Sequence, residues 1–444
     1  MCIKGLRAPN LKSLKHPRQI TTYIKQQREQ ALSLLKTPLR PEAASATFGA
    51  SMDALLSTSA SRMNSINFSA VMTASAQVWA AAQLSHTERG HAGVQKRPEA
   101  LYRRCVQSLQ PLLADMSAWA ISSMFWSSVT LRLDPDAAVP GMGKDLAVKF
   151  VQLTDADKED QRPNALSCVT VLEALTSMGH SGVTAQVAEA VCRCMCSLLQ
   201  STDQEARPTA KECANVLSAL RELKHAPSHD VASAMLDHLV ALCRSPGLEP
   251  TAPDMTSCLF ACAELGLSAS SNSTEALLKR LLEMPVARVD DQDYYHAAWS
   301  LAVMGRLDFN TFAAFLSKLT GKRKLLAQKA ATVAAQPTKA DATQLYQALE
   351  WLRPSQGSQQ MEAWSSLRSR LQTLAPQPPP MKPFIPGQAM LKAALAMHGM
   401  PLNAGTPYGM YYPDAVLLPH DSSLAEVLLV LDHSGDHVMN VPSR

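Results

Sequence analysis

Apolar side chains recur along this chain at the three- and four-residue spacing of a helix face, in five short segments that resemble one another. The segments are VLEALTSMG at 171–179, VLSALRELK at 216–224, CLFACAELG at 258–266, AAWSLAVMG at 297–305 and LYQALEWLR at 345–353. When they are superimposed, one column contains Leu175, Leu220, Cys262, Leu301 and Leu349. A second column, three residues later, contains Met178, Leu223, Leu265, Met304 and Leu352. Residues three apart share a helix face, so the segments predict repeated amphipathic helices.

Where the chain is clearest, a second apolar stripe at helical spacing follows the repeated segment. These stripes are Val183, Val187, Val191 and Leu198, then Val231, Met235, Leu239 and Leu242, then Phe309, Phe312, Leu316 and Leu319. The segments recur roughly every 40 to 50 residues, the period of a two-helix unit with loops of variable length. One such hairpin cannot bury its stripe alone, so neighbouring hairpins must stack. The sequence therefore predicts an all-α fold, an α-solenoid of helix-turn-helix repeats.

The same patterns divide the chain into five parts. These are a basic arm with a helix at 1–50, degenerate helical repeats at 51–160, clear repeats at 161–375, a proline-rich linker at 376–386 and a carboxy-terminal segment at 387–444. In the degenerate part, apolar segments around Phe68 and around Trp119 lie where a repeated segment would fall. Four of the clear repeats are preceded by a dipeptide whose second residue is proline: Arg162-Pro163, Arg207-Pro208, Glu249-Pro250 and Gln336-Pro337. Proline at this place predicts a first helical turn.

Composition agrees with helix-on-helix packing. The chain is 46% hydrophobic but only 5% aromatic, and small and aliphatic side chains suit helical packing better than a β-rich core. The sequence lacks an apolar run of the length that a membrane span needs, so no membrane partner is predicted. Ten cysteines in 444 residues are too few for a disulfide scaffold, and free thiols on apolar helix faces behave as small hydrophobes.

Cys192, Cys194 and Cys196 raise the question of a metal site. On a helix, Cys192 and Cys196 share a face while Cys194 points away, and no second pair follows at the spacing of a zinc site. Buried or half-buried thiols are the favoured interpretation, so no metal and no other cofactor is predicted. The sequence has neither a glycine-rich phosphate loop nor a nucleophile elbow. It therefore predicts no catalytic residue and no small-molecule substrate.

The net formal charge is only +4, from 42 Lys and Arg against 38 Asp and Glu, but the basic residues are clustered. No acidic residue precedes Glu29. Basic arms and loops contact phosphates without reading sequence, although a solvated loop is the alternative for each cluster. The amino-terminal stretch also fits an organelle transit peptide. The candidate RNA-binding residues are Lys12, Lys15, Arg18, Lys25, Arg28, Lys96, Arg97, Arg103, Arg104, Arg221 and, in a loop between repeats, Lys322, Arg323 and Lys324.

The repeated segment, with its proline lead-in and its apolar-Ala-Leu core ending in Met-Gly or Leu-Gly, resembles the octotricopeptide repeat of green-algal organellar RNA-binding proteins. The stretches MLKAALAMHGMPLNAGTPYGMYYPDAVLLP at 390–419 and VLLVLDHSGDHVMNVPSR at 427–444 are similar to the opening half of a RAP domain. That resemblance implies a helix and two strands, and hence a small α/β appendage at the carboxy terminus. It covers residues 160–444 and implies RNA binding in a mitochondrion or chloroplast, with RNA along a concave face.

By that comparison, Asp414 and Asp432 match the Asp residues of the first and second strands of the RAP domain, and His437 lies near its His. Val430 stands where an acidic residue is common, His433 replaces the usual Gly, and the last third of the domain is not represented. A metal-dependent nuclease needs at least two carboxylates and usually a Lys. The resemblance therefore favours a truncated binding or packing module over a nuclease.

Base recognition by helical repeats uses a few side chains per unit. The equivalent residues here are polar ones such as Glu173, Arg221, Glu264 and Gln347. Their types vary without order, so ordinary solvated faces are as good an interpretation as a base code. Contacts to RNA shape and phosphates are favoured.

The favoured hypothesis is a noncatalytic RNA-binding solenoid, a structural component of a green-algal mitochondrial ribosome that binds and stabilises rRNA beside neighbouring ribonucleoprotein subunits. A second hypothesis is a free organellar factor for RNA stability, translation or processing, acting on one messenger RNA. The third is a protein-only scaffold, and the fourth is a RAP-type nuclease. The favoured hypothesis rests on the repeat resemblance, the basic arm and the RAP-like segment without its acidic set.

Overall fold

The computed structural model describes residues 11, 14, 16–36, 41–88, 98–156, 161–178, 181–267, 270–329, 339–354, 360–375, 402–403, 415–417, 427–432 and 435–440. The helices in these ranges are α1 Pro17–Leu35, α2 Pro41–Ser59, α3 Ser65–Glu88, α4 Glu99–Leu109, α5 Ala118–Leu131, α6 Pro135–Ala138, α7 Met142–Thr154, α8 Ala165–Met178, α9 Ser181–Leu199, α10 Ala210–Glu222, α11 His229–Leu242, α12 Ala252–Glu264, α13 Ser271–Glu283, α14 Asp291–Val303, α15 Phe309–Lys329, α16 Lys339–Trp351 and α17 Gln360–Leu374. The strands are β1 Leu402–Asn403, β2 Ala415–Leu417, β3 Val427–Asp432 and β4 Gly435–Asn440.

The helices alternate between two layers. The chain divides into unit 1, Met1–Ser273, and unit 2, Thr274–Arg444. In unit 1, the helices α1, α3, α5, α8, α10 and α12 form a series in which each contacts the next, and we call them the A helices. The long helices between them, α2, α4, α7, α9 and α11, are the B helices. In unit 2, the A helices α14 and α16 contact each other, as do the B helices α15 and α17. The predicted all-α solenoid of helix-turn-helix repeats is confirmed.

The two predicted columns lie in different environments. Every member of the first column, from Leu175 to Leu349, is at most 1% exposed. Every member of the second column, from Met178 to Leu352, is half-buried near the end of its A helix. Burying a leucine side chain stabilises the fold by about 1.5–3 kcal/mol. The first column therefore contributes more packing energy than the second.

The A helices of the degenerate region bury the same kind of stripe. Helix α3 buries Phe68 and Val71, and α5 buries Ile121 and Phe125. Trp119 departs from the stripe because it is 49% exposed. The apolar segment around Trp119 is therefore only partly buried in the core, and its exposed part belongs to the protein surface.

Polar side chains cap the starts of the A helices. In α10, Thr209 Oγ1 accepts a hydrogen bond from the N–H of Glu212, and the Glu212 carboxylate accepts from the N–H of Thr209 at 2.8 Å. Thr251 and Asp254 form the same capping box in α12. Such a cap satisfies orphan donors of the first turn and stabilises the helix by about 1 kcal/mol.

The predicted first-turn prolines instead come just before these caps. Pro163 and Pro208 are buried one residue ahead of the capping side chain. Their carbonyls accept from the following B helix: Cys194 Sγ donates to Pro163 O at 3.4 Å, and His238 Nε2 lies 2.7 Å from Pro208 O. The prediction of a first-turn proline is wrong here, because the next residue has to be polar to cap the helix while the proline packs between the layers.

The A helices α10, α12 and α14 end in the same left-handed turn. Lys224, Gly266 and Gly305 have φ values of 54°, 66° and 66°. The N–H of the residue after each of them donates to the carbonyl of the first-column residue, from His225 to Leu220, Leu267 to Cys262 and Arg306 to Leu301. This backbone pattern is a Schellman motif. Glycine adopts the left-handed conformation most easily, which explains the Gly that ends two of these segments.

The basic stretch that was predicted to be a loop between repeats is helical. Helix α15 continues through Lys322, Arg323 and Lys324 and ends at Lys329. The loop prediction is wrong because Leu, Ala, Gln and Lys favour a helix strongly enough to outweigh Gly321, which alone costs about 1 kcal/mol.

The four strands form one antiparallel sheet in the order β1-β2-β3-β4. At the end of the register between β3 and β4, Asp432 is paired with Gly435. The helix that the RAP resemblance implies ahead of the strands lies outside the described residues. Among the helices that the structure describes, none combines the length and the apolarity needed to cross a bilayer.

Candidate nucleic-acid interface

One side of each A helix in unit 1 is turned away from the core. The second, sixth, ninth and thirteenth residues of these helices are all exposed or half-buried. At 3.6 residues per turn, these four positions lie along one side of a helix. Because successive A helices are neighbours, the residues at one position form a row across the unit. We call this surface the A face and number its rows two, six, nine and thirteen.

Three consecutive residues of row two form an apolar strip, and a cation precedes and follows them in the row. From α1 to α12 it contains Arg18, Ile66, Trp119, Leu166, Lys211 and Pro253. Ile66, Trp119 and Leu166 are 43%, 49% and 60% exposed, and they belong to the consecutive neighbours α3, α5 and α8. Large apolar side chains are not usually left side by side in water unless they meet a ligand or a partner.

Row six carries small hydrogen-bonding side chains, apart from one alanine. Its members are Thr22, Ala70, Ser123, Thr170, Asn215 and Ser257. Row nine places two half-buried rings beside them, Trp126 in α5 and Phe260 in α12. Hydroxyl and amide groups both donate and accept hydrogen bonds, and rings offer planes on which unpaired bases stack. Rows six and nine therefore supply both kinds of group that base recognition uses.

Arginines lie at the amino-terminal edge of the A face. Arg62, Arg162 and Arg207 each stand two residues before the residue that caps α3, α8 or α10. Arg162 and Arg207 each donate Nε to a backbone carbonyl of the preceding connector at 2.8 Å, and Arg62 donates to the carbonyl of Thr58 at 3.0 Å. In Arg162 and Arg207, these neutral oxygens hold the guanidinium group in place without cancelling its charge. Helix amino termini add positive potential at the same edge.

The opposite edge of the A face is acidic. Row thirteen contains Glu29, Glu222 and Glu264, and Glu173 lies in row nine of α8. Burial, and then the nearby carboxylate of Glu222, raise the pKa of Glu173 above its usual value. Like charges repel, so the carboxylates of row thirteen repel a polyanion.

Two of the candidate RNA-binding arginines connect neighbouring A helices. Arg221, the twelfth residue of α10, lies 3.3 Å from the Glu264 carboxylate and 5.3 Å from the centroid of the Phe260 ring. Arg28, the twelfth residue of α1, donates to Gln77 of α3 at 3.3 Å. In both cases the partner is the thirteenth residue of the next A helix. These two guanidinium groups therefore hold the A layer together.

The other candidates of the amino-terminal half fall on two different surfaces. Arg18 and Lys25 are exposed in rows two and nine of α1, and neither forms an ion pair with a described carboxylate. Arg103 and Arg104 belong to the B helix α4, where Arg103 contacts Glu99 at 3.1 Å and Arg104 contacts Asp53 at 3.0 Å. Exposed ion pairs contribute about 0–1 kcal/mol.

The candidates of α15 are tied to nearby acceptors. Lys322 Nζ lies 3.0 Å from Asp291 and 3.7 Å from Asp290, with the lysine side chain only 15% exposed. Arg323 donates to the backbone carbonyl of Leu374 in α17. The positions that lie outside the described residues or side chains are Lys12, Lys15, Lys96, Arg97 and Lys324.

The polar residues that seemed equivalent in sequence belong to different rows. Glu173 and Gln347 are both ninth residues, of α8 and α16, whereas Glu264 is a thirteenth residue. In unit 2, Gln347 accepts a hydrogen bond from Trp299 Nε1 at 3.0 Å, which joins row nine of α14 to row nine of α16. The residues compared in the repeated segments therefore come from more than one row, and row nine itself contains types as different as Lys25, Trp126 and Glu173.

The cysteine run is part of the packing of α9. Cys192 and Cys194 are buried and Cys196 is half-buried, so the prediction of buried or half-buried thiols is confirmed. Burial raises the pKa of Cys192 to about 12, which leaves this thiol protonated at neutral pH and disfavours metal ligation. Within the described part of the chain, no three His, Cys, Asp or Glu side chains are placed to hold a metal ion.

The residues carried over from the RAP domain lie on the sheet or beyond the described ranges. Asp432 is the last residue of β3, and His437 of β4 pairs with Val430. Asp414 and His433 lie outside the described residues.

Sequence reasoning does not find row two or the arginine edge. Each repeated segment starts within its A helix, and so the arginine and the row-two residue come before it in the sequence. The signal that reveals the edge is the Arg-Pro dipeptide at 162 and 207, and the signal for row two is a large apolar residue two positions after a capping residue, as in Ile66, Trp119 and Leu166.

No family model matches the chain, and no curated protein sequence is significantly similar to it.

Proposed function

We propose that the protein is a noncatalytic RNA-binding helical-repeat protein and that the A face of unit 1 holds unpaired nucleotides. The observation that supports this most is the apolar strip of Ile66, Trp119 and Leu166 beside an edge of positioned arginines. Stacking of a base on an aromatic side chain contributes about 1–3 kcal/mol per base and tolerates any base. Arginine contacts to phosphates fix the position of the strand.

In this arrangement the phosphates follow the amino-terminal edge, near Arg162 and Arg207. The bases lie over rows two to nine, where side chains such as Asn215 offer donors and acceptors to their edges. The backbone stays away from Glu222 and Glu264 because their charges repel phosphates. A duplex keeps its bases inside the stack and cannot use the apolar strip, so the ligand of the A face is unpaired RNA.

The family resemblance adds an organellar setting to the proposal. It points to the rRNA of a mitochondrial ribosome, bound beside neighbouring ribonucleoprotein subunits, with a messenger RNA in a mitochondrion or chloroplast as the alternative. Cosedimentation with ribosomal subunits in high salt distinguishes the two, because a free factor stays in the light fractions.

The proposed function is tested by titrating the full chain into a labelled unstructured RNA and into a blunt duplex of the same sequence. The salt concentration is set to about 0.3 M, where contacts to phosphates alone are weakened. We expect the unpaired RNA to bind about tenfold more tightly, because stacking adds to the phosphate contacts. Equal binding of both RNAs would contradict the proposal, and no binding to either would favour the protein-only scaffold.

A further inference from the structure

Helices α15 and α17 of unit 2 carry many cations and almost no acids. Helix α15 contains neither Asp nor Glu, and α17 contains only Glu362. Lys318, Lys322 and Arg323 of α15 are half-buried, and Arg370 of α17 is exposed. We call these four residues the basic ridge.

The two arginines of the basic ridge lie in the contact between α15 and α17. Arg370 reaches from α17 to α15, where its Nη2 donates to Ser317 Oγ at 2.9 Å and to the carbonyl of Ala313 at 3.4 Å. Arg323 reaches the other way and donates to the carbonyl of Leu374. Neutral acceptors thus hold both guanidinium groups. Their positions are restricted in advance, which lowers the entropic cost of binding an anion.

The two lysines of the basic ridge differ in how their charge is balanced. Lys318 Nζ lies 3.5 Å from the carbonyl of Met284, an acceptor that leaves its charge in place. Lys322 Nζ lies 3.0 Å from the Asp291 carboxylate, which compensates its charge. Three of the four cations, Lys318, Arg323 and Arg370, therefore retain a charge that no described carboxylate balances.

The residues around the basic ridge indicate what kind of partner the ridge fits. Among the described residues of unit 2, no large apolar side chain is exposed. Protein interfaces usually have an aromatic or aliphatic anchor at their centre, and unpaired bases need rings on which to stack. The exposed neighbours are small and polar, such as Ser317, Ser366 and Ser369, and hydroxyl groups contact phosphates. This surface therefore fits a partner that presents phosphates while its bases are hidden.

We propose that the basic ridge binds the phosphate backbone of double-stranded RNA without reading its sequence. The inference goes beyond the proposed function, because it concerns another surface and a paired RNA. Double-stranded RNA is recognised mainly through its shape and its phosphates. Each neutralised phosphate releases counterions, so the affinity falls with rising salt in proportion to the number of contacts.

The experiment measures the affinity of the full chain for a blunt RNA duplex as a function of salt. The double variant Lys318→Gln, Arg370→Gln is expected to bind about tenfold more weakly at low salt, and its slope of log affinity against log salt is expected to be smaller by about two. The variant Ser317→Glu keeps every cation but places a carboxylate beside Arg370. It is expected to weaken binding in the same direction while preserving the fold through a new ion pair.

A matched control removes the same charge elsewhere. The double variant Lys144→Gln, Lys149→Gln changes helix α7 of unit 1 and should leave duplex binding unchanged. Unchanged slopes in both ridge variants, or an equal loss in the control, would overturn the inference. Tighter binding of polyglutamate than of the duplex would overturn it in favour of an acidic protein. Trp119→Ala should affect unpaired RNA alone, so failure of the A-face proposal is distinguishable from failure of this one.

Discussion

Replacing Trp119 with alanine is expected to weaken the binding of unpaired RNA about 5- to 150-fold. The indole is 49% exposed in row two, between Ile66 and Leu166, so the change removes a stacking plane from the middle of the apolar strip. Stacking of about 1–3 kcal/mol per base corresponds to this range of affinity. The measurement is a titration of labelled unstructured RNA at fixed salt, followed by fluorescence anisotropy.

Two variants control the Trp119 prediction. Trp119→Tyr keeps an aromatic ring and should retain most of the affinity. Val148→Ala removes an exposed side chain (37%) that lies on the B helix α7, off the A face, and it should leave binding unchanged. Exposed substitutions shift the free energy of unfolding by about 0.5 kcal/mol or less, so the fold is preserved in all three variants. The A face is not the binding surface if Val148→Ala weakens RNA binding as much as Trp119→Ala does.

Replacing Leu220 with alanine is expected to lower the free energy of unfolding by about 3 kcal/mol. Leu220 is fully buried in the first column, and truncating such a residue costs the lost burial and leaves a cavity. Leu223→Ala, three residues later in the half-buried column, is the matched change and should cost about 1 kcal/mol. Equilibrium unfolding in urea, followed by the helical circular dichroism signal, measures both.

Comparable losses in the two leucine variants would contradict the assignment of the two columns to different environments. A Leu220→Ala protein as stable as the unchanged chain would contradict the packing of α10 against its neighbours α8 and α12. Each repeat of a repeat protein is stabilised by its nearest neighbours. The loss of stability is therefore expected to be concentrated in unit 1, which contains α10.

The repeat register was predictable because burial itself is periodic. A residue such as Leu220 must be apolar in every unit, since the same layer contact recurs, and the recurrence is visible in one sequence. The end of the segment was predictable in part, since Gly266 and Gly305 supply the left-handed turn. Lys224 occupies the same turn with φ 54°, and no sequence rule favours lysine there.

The A face was not predictable in the same way, because exposed residues are free to vary. The polar residues that seem equivalent in the repeated segments stand at different positions of their A helices: Glu173 is a ninth residue, Arg221 a twelfth and Glu264 a thirteenth. The row of a residue is given correctly only by its distance from the capping residue of its helix. The structure identifies that residue through hydrogen bonds such as the one from the N–H of Glu212 to Thr209 Oγ1. Counted from the cap, row six consists almost entirely of hydroxyl and amide side chains.

The partners of the basic residues were also not predictable from the sequence. Arg104 contacts Asp53, 51 residues earlier in the chain, and Lys322 contacts Asp291 of another helix. Such partners are brought together by the stacking of helices, which local charge patterns do not encode. Clusters of Lys and Arg therefore overstate the free positive charge, whereas Arg162 and Arg207, which belong to no basic cluster, donate to backbone carbonyls and form no ion pair with a described carboxylate.

The most direct test of the A face is photocrosslinking of unpaired RNA to the full chain, followed by mass spectrometry of the crosslinked peptides. We predict crosslinks in the peptide of α5 that contains Trp119 and Trp126, and in the peptide of α3 that contains Ile66. Crosslinks confined to B helices such as α9 and α11, with none in α3 or α5, would contradict the account.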